Sequence, residues 1–124
     1  MAKKIAYVVE DDQDLANIYS GALRMAGFDV ETLLDGETAF NRINEKQPDF
    51  ILLDMHLPNI SGNEIIWVTW FDDKLEGIKI TIITADPDMG AIYESKGYRV
   101  MIKPVDLAEI IAMGKEIFEE LEVV

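Results

Sequence analysis

The chain contains no cysteine. Disulfides and thiolate metal sites are therefore excluded, and a reducing compartment is the natural fit. Basic residues are scarce: 11 Lys and Arg stand against 24 Asp and Glu, a net charge of −13. Nucleic acid binds largely through phosphate neutralisation by Lys and Arg, so this domain is not expected to bind it, nor an anionic membrane. Long apolar runs are also missing; none approaches the ~20 residues that span a bilayer. The opening "MAKKIAYVVEDD" has an apolar stretch only from Ile5 to Val9, too short for a signal peptide. These absences together predict a cytoplasmic protein.

What is present suits one folded domain. Of 124 residues, 49% are hydrophobic, and mean hydropathy is +0.07. We expect residues 1–124 to form a single unit with one core. Strand-like and helical patterns alternate throughout. "KIAYVV" is a short β-rich run. "DQDLANIYSGALRMAG" carries Leu15, Ile18, Tyr19, Ala22 and Leu23 at helical spacing, with Gly27 as its stop. "FDVETLL" reads as a strand, and "DGETAFNRINEK" as a helix with Ala39, Phe40 and Ile43 inward. "DFILLD" is a continuous apolar strand, followed after a loop by the helix "NEIIWVTWFDDKL". Then come the strand "IKITIIT", the short helix "PDMGAIYESKG", the strand "YRVMI", and the helix "VDLAEIIAMGKEIFEEL" with Leu107, Ile110, Ile111, Phe118 and Leu121 on one side. Five βα repeats imply an α/β fold: a doubly wound, five-stranded parallel sheet with helices on both faces. In such sheets, sites lie beyond the carboxyl ends of the strands.

The residues at those ends are distinctive. Strand one runs into Glu10, Asp11 and Asp12, strand three into Asp54, strand four into Thr84, and strand five into Lys103 and Pro104. Parallel neighbouring strands would bring them to one edge. Carboxylates crowded there repel, so either their pKa values rise or a cation binds. The all-oxygen set suits Mg²⁺, which uses one or two carboxylates and keeps waters for a phosphate. With a lysine and a hydroxyl added, the group looks like a phosphoryl-transfer site in which Asp54 is the nucleophile.

"VVEDD", "ILLDMHLPNISG", "ITIITA" and "IKP", in that order, resemble the receiver domains of two-component response regulators over essentially the whole chain. The resemblance implies the flavodoxin-like (βα)5 fold with strand order 2-1-3-4-5. It implies Asp54 as phosphoacceptor, Asp11 as the main metal-binding carboxylate with Glu10 beside it, and Asp12 as a lesser candidate. A backbone carbonyl at His56 would complete the Mg²⁺ ligands. Thr84 is the switch hydroxyl, Lys103 contacts the phosphoryl group, and Pro104 makes a cis peptide. Pro58 and Gly62 shape the loop after Asp54, and Ala85 leaves the phosphoryl group room. Expected partners are a sensor histidine kinase or histidine phosphotransfer protein and a downstream protein target; the chain itself is expected to be a monomer or weak homodimer. Its only catalysis would be its own phosphorylation and dephosphorylation. An output module, if any, would lie outside this sequence.

The chain departs from the family in places. Val100 stands where the family usually has an aromatic, three residues before the lysine; Tyr98 is the nearest aromatic and by alternation shares its face. Thr84 and Lys103 are closer in sequence than usual, so the fourth helix or its loops must be short. Signal output then uses another face, or Tyr98 substitutes. His56, the only histidine, is either a pocket-mouth residue facing Asp86 or a plain loop residue. The third helix has a wide apolar arc including Trp67 and Trp70. One Trp could mark a partner surface, although burial of both in or beside the core is the simpler expectation; Met113 and Ile117 raise the same choice. Rival functions fail at named residues. A haloacid-dehalogenase-type phosphatase needs an Asp where His56 stands, and a flavodoxin-like cofactor site needs a phosphate-cradling loop where "EDDQD" stands. A pseudo-receiver that binds partners without phosphorylation is the remaining alternative.

Overall fold

A computed structural model describes residues 3–72 and 75–123, without the side chains of residues 69–71. The elements alternate as expected: β1 (Ile5–Val9), α1 (Gln13–Met25), β2 (Asp29–Leu33), α2 (Gly36–Glu45), β3 (Phe50–Asp54), α3 (Gly62–Phe71), β4 (Lys79–Thr84), α4 (Pro87–Ser95), β5 (Arg99–Ile102) and α5 (Leu107–Glu122). All pairings are parallel, and the order is β2-β1-β3-β4-β5. The chain reverses its winding between β1 and β3, which opens a crevice at their carboxyl ends.

Strand β3 explains the uninterrupted apolar run. Phe50 and Leu52 pack into a cluster with α1 and α5, while Ile51 and Leu53 pack into the opposite cluster with α2, α3 and α4. Both faces are covered, so no position between Phe50 and Leu53 can be polar. The same alternation turns Asp54 toward the α1/α5 side, as it does Glu10 after Val8 in β1.

Helix boundaries follow local chemistry. Asp12, Asp35, Ser61, Asp86 and Asp106 cap α1 to α5, each accepting from backbone N–H groups of the first turn. At the end of α1, Gly27 takes φ +116°. Phe28 N–H reaches the Leu23 carbonyl oxygen at 3.1 Å and Gly27 N–H reaches that of Arg24 at 3.0 Å, the paired bonds of a Schellman stop. Helix α3 ends at Phe71, earlier than the sequence pattern suggests, because Asp72 leaves helical geometry.

Some inward assignments need correction. Ile18 is 48% exposed, since it lies off the arc of Ala16, Tyr19, Ala22 and Leu23 that α1 buries. Leu107 is 45% exposed, because it opens α5 before the helix meets α1. Met113 and Ile117 are core residues, whereas Trp67 is 59% exposed; the side chain of Trp70 lies outside the described residues.

Gly62 sits where backbone passes backbone. A Cβ there would lie 2.7 Å from Met55 Cα and 2.9 Å from the Asp54 carbonyl oxygen. Gly62→Ala should therefore destabilise the fold by about 1–3 kcal/mol through overpacking, read as a lower urea midpoint. A midpoint equal to wild type would show that the loop after Asp54 yields freely.

Candidate functional site

Register places the polar groups level at the carboxyl edge. Val9 pairs with Leu53, so Glu10 and Asp54 come next on adjacent strands. Asp54 pairs with Ile83 and Thr84 pairs with Ile102, which sets Thr84 and Lys103 one step beyond. Lys103 N–H continues the ladder to the Thr84 carbonyl oxygen at 2.8 Å, and the Lys103–Pro104 peptide is cis.

Two of the carboxylates are buried: Glu10 is 1% and Asp54 2% exposed. Burying unpaired carboxylates costs several kcal/mol each. The Lys103 ammonium answers both, at 2.7 Å from Glu10 Oε1 and 3.3 Å from Asp54 Oδ2. Burial pulls the lysine pKa down, but the two carboxylates outweigh it, and the net shift is upward. The remaining oxygens accept backbone hydrogens: Asp54 Oδ1 from His56 N–H at 3.0 Å, and Glu10 Oε2 from Asp12 N–H at 3.2 Å.

Asp11 completes a cluster. Glu10, Asp11 and Asp54 each offer a carboxylate oxygen within 4.8 Å of the others. This spacing and hard-oxygen set fit one octahedral Mg²⁺, whose opposed ligands lie ~4 Å apart. Burial, and then the hydrogen bond and charge of Glu10, hold the Asp11 pKa above the usual carboxylate range. Asp12 is committed elsewhere: its Oδ1 accepts Asp14 N–H at 2.9 Å and Leu15 N–H at 3.1 Å. His56 is exposed, with its N–H on Asp54, and Ala85 and Pro104 lie at the rim.

Thr84 is buried, and its Oγ1 accepts Asp86 N–H at 3.1 Å. The sequence reading did not include that bond, which ties the hydroxyl to the residue capping α4. Val100 faces α4 together with Tyr98. However, Tyr98 precedes β5, four residues before the partner of Thr84. At about 3.3 Å per residue it lies near the opposite end of the strand. There it stacks edge-on with Tyr93, ring centres 5.8 Å apart. Tyr98 is thus on the expected face but too far away to pair with the Thr84 hydroxyl.

The family model for the response regulator receiver domain matches residues 6–115. The chain belongs to the response regulator receiver family. It is 32% identical over 105 residues to the DNA-binding response regulator MtrA of Mycolicibacterium smegmatis, covering 85% of this chain and 46% of MtrA. The chain thus spans about half the length of the curated relatives it matches. By fold it is similar to the receiver domain of the Francisella response regulator 1452, with TM-score 0.84 at 19% identity over 97% of this chain and 100% of that one. A receiver domain from Methylobacillus flagellatus gives TM-score 0.80 at 20% identity, over 94% and 99%. The receiver family assigns this chain to two-component signalling. Among the described residues, no helix is long and apolar enough to cross a membrane.

The raised Asp11 pKa has a signed consequence. At neutral pH the folded, metal-free receiver carries a carboxylate that folding disfavours, and the penalty lifts as pH falls through the folded pKa. Asp11→Asn should therefore raise the urea midpoint of metal-free protein at pH 7. The gain should shrink in acid, where wild-type Asp11 is protonated too. A gain independent of pH would mean that charge is not its source.

Proposed function

We propose that residues 1–124 act as one receiver domain that accepts a phosphoryl group on Asp54 and signals by protein–protein contact. What supports this most is Lys103, a single cation bridging two buried carboxylates, one just after β1 and one at the end of β3. Such a cation stands ready to offset charge on an incoming phosphoryl group.

In the transfer, an Asp54 carboxylate oxygen attacks phosphorus. The bond from phosphorus to the donor's leaving atom breaks, and the leaving group takes the electron pair. Lys103, already on Asp54 Oδ2, follows the charge onto the phosphoryl oxygens. The Thr84 hydroxyl, an acceptor from Asp86 N–H, turns to donate its own hydrogen to the phosphoryl group, which shifts the oxygen to which the α4 cap residue is bonded. Glu10, Asp11, Asp54 and the His56 carbonyl would hold Mg²⁺, which when bound neutralises the charge of the transferring group.

A histidine kinase or histidine phosphotransfer protein is the donor in this reading, and a cytoplasmic protein target is the receptor. The acidic domain contacts neither DNA nor membrane, and acts as a monomer or weak homodimer. It is a phosphoacceptor rather than an enzyme with turnover on other substrates.

Incubation with Mg²⁺ and acetyl phosphate should add the mass of one phosphoryl group. The gain should be absent from Asp54→Ala and from wild type in EDTA. No gain with acetyl phosphate, phosphoramidate or a kinase would favour the pseudo-receiver instead.

A further inference from the structure

A cavity of about 370 Å³ opens beside the site, lined by Leu15, Tyr19, Ala85, Lys103, Pro104 and Val105. It has the character of a small-ligand site: largely apolar, with few polar groups. One is the Lys103 ammonium. It has three hydrogens, and Glu10 and Asp54 engage two of them. The other is the Tyr19 hydroxyl, on a side chain only 2% exposed.

Buried tyrosine hydroxyls ordinarily find a partner. Tyr7 does so, donating to the Lys46 carbonyl oxygen at 2.5 Å. Tyr19 lines this cavity, and the cavity is where its hydroxyl can meet a ligand in place of water. Strand alternation puts Lys103 on the α1 side, like Met101, and Tyr19 belongs to the same cluster. A tyrosine and the lysine that contacts Asp54 therefore line one apolar hollow.

We propose that this cavity is a leaving-group subsite, and that Tyr19 determines specificity for acyl phosphates as small-molecule donors. The inference rests on Asp54 being the phosphoacceptor. As an Asp54 oxygen bonds to phosphorus, the bond between phosphorus and the acyl oxygen breaks. The carboxylate leaves with the electron pair. Its developing charge meets the Tyr19 O–H, while Lys103 stays with the phosphoryl oxygens and the alkyl end lies against Leu15 and Val105. No proton moves. Donors aimed at charge that appears only during transfer accelerate the step rather than merely tightening binding.

The test compares self-phosphorylation by acetyl phosphate, which expels a carboxylate, with that by phosphoramidate, which expels ammonia. Both second-order rate constants are measured for wild type and Tyr19→Phe under the same Mg²⁺ concentration. The readout is the ratio of acetyl phosphate to phosphoramidate. It should fall about three- to tenfold in the variant, the worth of one hydrogen bond. A ratio equal to that of wild type overturns the proposal, whether both rates hold or fall together. If wild type accepts a phosphoryl group from neither donor, this proposal is overturned, and the phosphoacceptor reading falls with it only if a kinase also fails to phosphorylate Asp54.

Discussion

Lys103 is the constraint on which the carboxyl edge depends. Glu10 and Asp54 are almost fully enclosed, and two carboxylates side by side in that setting would be untenable alone. One ammonium, 2.7 Å from the first and 3.3 Å from the second, makes the arrangement stable enough to fold. The shorter contact is to Glu10. The lysine is thus anchored on β1 and still within reach of Asp54, so it need not be recruited when charge arrives.

The sheet supplies the rigidity that this triangle needs. Asp54 extends a strand packed on both faces, and Glu10 follows a strand hydrogen-bonded to it. Asp11, by contrast, is exposed and raised in pKa. Desolvation first, and then the hydrogen bond and charge of Glu10, raise it. On the other side, Thr84 is bonded to the cap of α4 rather than to an aromatic. Gly90 lets α4 lie close: a Cβ there would be 2.7 Å from Ile102 Cδ1 and 3.1 Å from Val100 Cγ1. A valine at position 100 suits that close approach better than a large ring would.

Much of this was legible in the residues. The alternation of apolar strands and amphipathic helices dictated a parallel sheet, because only that layering buries both faces of "FILL". The acid after strand one, the acid after strand three, the hydroxyl after strand four and the lysine after strand five could be assigned to one edge once the strands were parallel. Ile18 and Leu107 misled, because helical spacing alone does not say where an arc ends or how early a helix meets its neighbour. Tyr19 was hidden for the opposite reason: within an apolar stripe it reads as core, and only its place beside Lys103 in the wall of one cavity sets it apart.

The sequence by itself determined the order of elements, the caps, and which chemical groups stand at strand ends, since these follow from local periodicity and nearest neighbours. The tertiary structure alone decided how those groups are paired. It gave Lys103 to Glu10 before Asp54, set Asp12 Oδ1 to capping α1, tied Thr84 to Asp86, and placed Tyr98 beside Tyr93, away from the Thr84 hydroxyl. Each depends on register and facing across the sheet, and those are set by contacts between residues far apart in the chain.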